Sequence, residues 1–163
     1  MAEIAVFKIQ QQEQFARLAR QLKDVENGQK LQRRLTRNVR RAGQPALAAV
    51  KAKWPTIDVQ SEGDGGEHSG LRDRAVAATM ISVTGKGIRI RTIGRRIDPR
   101  YPSLAYYLNG LGKPWRYPVY GNREIWKVNK GREIFHPTLK RYEKVWRAGV
   151  LAAMDETAKE IMA

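Results

Sequence analysis

From Asn27 to Ile57 the chain carries no acidic residue, and within that stretch Leu31, Leu35, Val39, Ala42, Ala46 and Val50 return at intervals of three and four toward Trp54. That spacing draws one apolar stripe along a long helix. At 100° per residue, Lys30, Arg33, Arg34, Arg37, Arg40 and Arg41 fall within an arc of about 120° on the other side. The chain must therefore fold so that one face of this helix meets a core and the other does not. No carboxylate four residues along offsets the cations. Phosphate oxygens and the carboxylates of an adjoining subunit both suit forked guanidinium groups, and a solvated basic face is the third reading.

The rest of the chain carries the same sign. Against 31 Lys and Arg stand 16 Asp and Glu, a formal charge of +15, which favours polyanionic surroundings or acidic partner surfaces. With 42% apolar and 29% charged residues in 163 positions, one folded domain with a core is expected. There is no cysteine, so neither a disulfide framework nor a thiolate metal site is available. The opening MAEIAVFKIQQQ is too soon interrupted for an export signal, and no run approaches a membrane span.

Phe15, Leu18, Leu22 and Val25 place a first helix before the long one, ending near Asn27-Gly28 with the glycine as its C-terminal cap. Pro45 predicts a kink in the second helix, or two consecutive helices. Residues 60–70, QSEGDGGEHSG, read as a mobile loop, whose Glu62, Asp64 and Glu67 are candidates to meet a basic surface on a neighbour. Ser69 is placed as the cap of a short helix to about Met80. Ile81, Val83, Ile88 and Ile90 then alternate around Thr84-Gly85-Lys86-Gly87 as a β-hairpin. Arg89 and Arg91 fall on its outward face and, with Arg95 and Arg96, extend the cationic surface. A helical turn is expected from Tyr101-Pro102 to Leu108, and a short strand at Trp126-Lys127-Val128. Over 138–162, Leu139, Tyr142, Val145 or Trp146, Gly149 or Val150, Ala153, Thr157 and Ile161 define a long C-terminal helix. The expected fold is α+β: a helix-dominated single domain with helices over 11–54, a small antiparallel sheet and the aromatic segment within 71–136, and the C-terminal helix last.

Catalytic signatures are missing. The two histidines, His68 and His136, stand in no metal-ligand spacing, the glycines form neither a P-loop nor a dinucleotide fingerprint, and no nucleophile elbow occurs. Asp155-Glu156 beside Lys159 reads as a solvated helix face. No catalytic, cofactor-binding or metal-ligating residue is assigned, and the chain is expected to offer surfaces.

The second such surface is GKPWRYPVYGNREIW, residues 112 to 126, with two Trp, two Tyr, two Pro and two Gly. Trp115, Tyr117, Tyr120 and Trp126, with Arg116 among them, suit base stacking, although the interleaved Pro and Gly make a poor flat platform. Docking on the body or on a neighbour is the stronger reading, because aromatic rings bury large areas with few rotatable bonds.

WRYPVYGN at 115–122, then Trp126, a Lys-Gly-Arg turn and Phe135-His136-Pro137 resemble a pattern in small neck proteins of long-tailed phages. These form the tail-completion or head-tail connector family, often called minor tail proteins. The likeness spans roughly residues 11–162 and is most specific over 115–137. The family pattern often has His where Tyr117 stands, so no metal or acid/base role carries over to that position. The resemblance implies no enzyme activity. It implies a ring, hexameric, at the junction of capsid connector and tail tube, bound to a portal-side connector or stopper and to tail terminator or tube proteins, with DNA passing through its lumen. Assembly in the host cytoplasm and residence in the virion neck follow. The alternative is a basic nucleic-acid-binding module using the arginine stripe.

Overall fold

The computed structural model describes residues 12–57, 70–84, 87–119 and 122–162. Two long helices form its spine. α2 (Gly28–Lys53) and α6 (Phe135–Met162) run antiparallel, since Arg34 meets Glu156 and Glu160 near one end while the space beside Gly43 is filled by Trp146. Leu35, Val39, Ala46, Leu47 and Val50 carry the buried side of α2. α6 contributes Phe135, Leu139, Trp146, Val150 and Ala153. The sequence left Val145 and Trp146 as alternatives, and the fold separates them: Trp146 is 1% exposed and Val145 66%.

Around this pair stand α1 (Gln12–Gln21), a 3-10 turn at Trp54–Thr56, α3 (Leu71–Ala78), the hairpin of β1 (Thr79–Thr84) and β2 (Gly87–Thr92), α4 (Gly94–Ile97) and α5 (Leu104–Leu108). The last two strands, β3 (Trp115–Val119) and β4 (Asn122–Asn129), form a second antiparallel hairpin. The expected helix-dominated α+β fold with a long C-terminal helix is the fold found. Its β part, among the described residues, is two separate two-stranded ribbons.

One apolar cluster joins α1, α2, α3, β2, α4, α5 and α6. Trp54 is among its fully buried members, edge-on to Phe135 with ring centroids 6.0 Å apart. Its indole N–H donates to Thr79 Oγ at 2.8 Å, and that hydroxyl donates to the Ala75 carbonyl at 2.7 Å. Thr79 has only one hydroxyl proton, so Thr92, across the hairpin and 2.8 Å away, donates to it. A bulky core aromatic thus brings a polar atom inside at little cost, because each group in the chain has a partner.

Several boundaries differ from those read off the sequence. α1 ends at Gln21, and the left-handed residue at the junction is Asn27 (φ 67), whose short polar side chain tolerates that region. Gly28 opens α2, where a Cβ would collide with the Leu22 carbonyl oxygen. α2 runs unbroken through Pro45. The carbonyl that loses its bond there belongs to Arg41, and both residues are exposed, so water replaces the missing donor. α3 is preceded by Gly70 in the left-handed region, and it stops at Ala78 because Thr79 and Met80 already belong to β1. α6 begins at Phe135, three residues early, since a proline within the first helical turn loses no intrahelical bond. The segment 60–69 with Glu62, Asp64 and Glu67, Ser69, and the Gly85-Lys86 turn lie outside the described residues.

Asp98 and Arg100 close the turn after α4. The carboxylate accepts from the Arg100 guanidinium through both oxygens (3.2 and 3.0 Å) and from the Arg100 backbone N–H at 2.9 Å. These bonds hold the Asp98 carboxyl below the usual range, the side-chain bonds contributing most.

Candidate interaction surfaces

The exposed side of α2 is built from donors. Gln29, Gln32, Arg33, Thr36, Arg37, Arg40, Arg41 and Gln44 line one continuous open surface, all of them on this helix. Among the described residues no other element lines it, and the face stays open along about 16 Å of helix between Arg33 and Gln44. Lys30, Arg37 and Arg41 also border the adjoining groove between α2 and α6, floored by Ala42, Gly149 and Ala152. Among the described residues, Lys30, Arg33, Arg37, Arg40 and Arg41 make no ion pair and no side-chain hydrogen bond.

Arg34 differs from its neighbours. It donates to Glu156 at 3.0 Å and pairs with Glu160 at 2.7 Å, while Asn38 donates to the other oxygen of Glu156 at 3.0 Å. The partner expected outside the helix is, for this one arginine, the last turns of α6, so Arg34 leaves the free cationic set. Glu156, read from sequence as solvated, is a clasp between the two long helices.

Arg89 and Arg91 need a second correction. They occupy the face of the β1–β2 hairpin opposite Ile88 and Ile90, as the alternation requires, but that face is half-buried and the Nε of each is withdrawn from water. Neither is among the residues that line the open surface of α2. Arg95 and Arg96 on α4 are exposed.

The aromatic segment is the β3–β4 hairpin, not an irregular stiff loop. Arg116 pairs with Val128 and Pro118 with Trp126, and the register shifts between Pro118 and Val119. Proline is tolerated because both strands of a two-stranded ribbon are edges, where an N–H need not join the ladder. Each strand packs against the other and hardly touches the rest of the protein. Ile125 is 54% exposed and Trp126 50%, and these adjacent residues lie on opposite faces. Val128 and Arg116 are exposed as well. Among the described residues, each face of this arm therefore carries apolar surface that the body leaves exposed. The side chains of Trp115 and Tyr117, and Tyr120 altogether, lie outside the described residues.

The root of the arm is fixed by main chain. Residues 131–134 return against 107–110 so closely that a Cβ on Gly131 would collide with the Tyr107 carbonyl oxygen, and Gly110 holds φ at +70°. Arg132 N–H donates to the Leu108 carbonyl at 3.1 Å. The buried Asn109 side chain accepts from the N–H groups of Ile134 and Phe135, at 3.0 and 3.1 Å, at the opening of α6. Sequence reading missed this clamp, for which the Gly110 and Gly131 pair was the available signal.

No group of His, Asp or Glu among the described residues is arranged to hold a metal ion, and no described helix is long and apolar enough to cross a membrane. No family model matches the chain, and no curated protein or solved structure matches it.

Proposed function

We propose that the chain is a structural subunit of the neck of a long-tailed phage, a connector or tail-completion protein that joins head to tail as a homo-oligomeric ring. The observation that carries this reading is the β3–β4 arm, a ribbon held at its root whose described apolar and aromatic side chains, Ile125, Trp126 and Val128, stand exposed on both faces. Exposed apolar residues rimmed by polar ones favour a protein contact, and the free ribbon edges add unpaired backbone groups. The residues that resemble the neck proteins fall on this arm and its root: WRYPV of WRYPVYGN on β3, Asn122 and Trp126 on β4, Gly131 and Arg132 of the Lys-Gly-Arg run in the clamp, and Phe135-His136-Pro137 at the start of α6.

A head-to-tail ring needs two unlike patches on every subunit, and an arm on one side with a receiving surface elsewhere meets that need. Six copies is the expected number. A portal-side connector or stopper and the tail terminator or tube proteins are the expected neighbours, which places the protein in the virion neck after assembly in the host cytoplasm. In this role the subunit makes no covalent change to any partner.

The test is assembly. Purified protein mixed with heads and tails from the same particle should yield closed rings in negative-stain images and joined particles. Trp126→Ala should leave heads and tails apart. A protein that stays a monomer beside both, with joining unaffected by the substitution, rejects the reading.

A further inference from the structure

We infer that the open face of α2 binds the phosphate backbone of duplex DNA without reading its sequence. This inference goes beyond the neck reading and does not depend on it. Arg33, Arg37, Arg40 and Arg41 project from one helix face, interspersed with Gln29, Gln32, Thr36 and Gln44. Every one of these side chains can donate a hydrogen bond, and no carboxylate is among them.

Three features select the ligand. Protein-protein contacts are anchored by buried aromatic or aliphatic side chains, and this face presents none, whereas interfaces with DNA are polar and strongly positive. Single-strand binders stack bases on aromatic rings, and the lining residues include no ring. What remains is a row of forked cations, which recognise phosphate oxygens two at a time.

The dimensions agree. About 16 Å of helix, from Arg33 to Gln44, matches roughly five phosphates of one strand, spaced ~3.4 Å apart along the duplex axis. The four arginines have no ion partner among the described residues, so no internal pair has to break on binding. The fold also keeps the face in place: Arg34 and Asn38, on the flank of the same helix, are tied to Glu156 of α6. Phosphate contacts set position and affinity but carry no base information, so the binding is indifferent to sequence.

The experiment is fluorescence anisotropy with a labelled 20-base-pair duplex over a salt series. With four phosphate contacts, log affinity should fall against log salt with a slope of about −3.6, about 150-fold between 50 and 200 mM salt. Arg33→Gln, Arg37→Gln and Arg40→Gln together should reduce the slope by roughly three contacts' worth, to about −0.9. A charge-matched control on α6, Lys140→Gln, Arg141→Gln and Lys144→Gln, removes three exposed cations from another element and should leave the slope within about one contact of the wild type. All six positions are exposed, and circular dichroism confirms that each variant keeps its helices. Equal losses in the two triple variants would mean that net charge alone is felt, and would overturn the assignment. Tighter binding to a single strand than to the duplex, or displacement of the duplex by a polyglutamate peptide at equal charge, would overturn it as well.

Discussion

The α2–α6 pair and the β3–β4 arm use aromatic residues in opposite ways. Trp146 is buried with its indole against Gly43 of the facing helix, whereas Trp126, on a ribbon that packs mainly on itself, is half in water. Burying a large apolar side chain stabilises the fold by about 1.5–3 kcal/mol, and leaving one exposed forgoes that gain unless a partner later covers it. One region therefore holds the subunit together, while the other keeps apolar surface available for a contact made outside it.

The comparison breaks most readily at its packed end. Trp146→Ala should destabilise by about 3–5 kcal/mol, read from urea unfolding, and a loss below 1 kcal/mol would mean that the helix pair is not the spine. Asn109→Ala should follow at about 2–4 kcal/mol, because two buried N–H groups at the opening of α6 lose their acceptor. Arg34→Ala breaks a half-exposed clasp and should cost only about 0.2–1 kcal/mol, shrinking further in high salt. Trp126→Ala should change folding stability by no more than about 0.5 kcal/mol while abolishing particle joining, and a large stability loss would show that the arm belongs to the core after all.

The smallest effect lies at Asp98, whose partner Arg100 is mostly in water. The folded carboxyl titrates below its ordinary range, so its contribution is present at neutral pH and is lost as the pH falls through that range toward the folded value. Wild type and Asp98→Asn should differ slightly at pH 7 and converge in strong acid. Divergence on acidification would reverse the sign.

Regular periodicity made the long helices legible. α2 and α6 repeat their apolar spacing over many turns, so one ambiguous position, such as 145 against 146, does not obscure the helix. β1–β2 was legible for the same reason: Ile88 and Ile90 face a core, and the alternation has a buried side to record. The β3–β4 arm has no such side. With exposed apolar residues on both faces among those described, its polar and apolar residues need not alternate, and its prolines suggested an irregular loop. α4, GRRI, is four residues long and too short to show a period.

The candidate site divides similarly. The cationic face followed from counting 100° per residue, but its boundary did not, because Glu156 stands 122 positions from Arg34 and only the fold brings them together. Arg89 and Arg91 lay on the expected side of their hairpin, yet alternation reports only which side a residue takes and not how deeply that side is covered.

The backbone clamp at Gly110 and Gly131 bears on how such an arm can diverge. Its pitch is inherited from main-chain crossing at the root, so substitutions toward the tip alter what the ribbon grips without altering where it points. The tip is then free to track a changing partner, while the two glycines and Asn109 form a hinge pin that drift cannot replace with larger side chains without turning the arm aside.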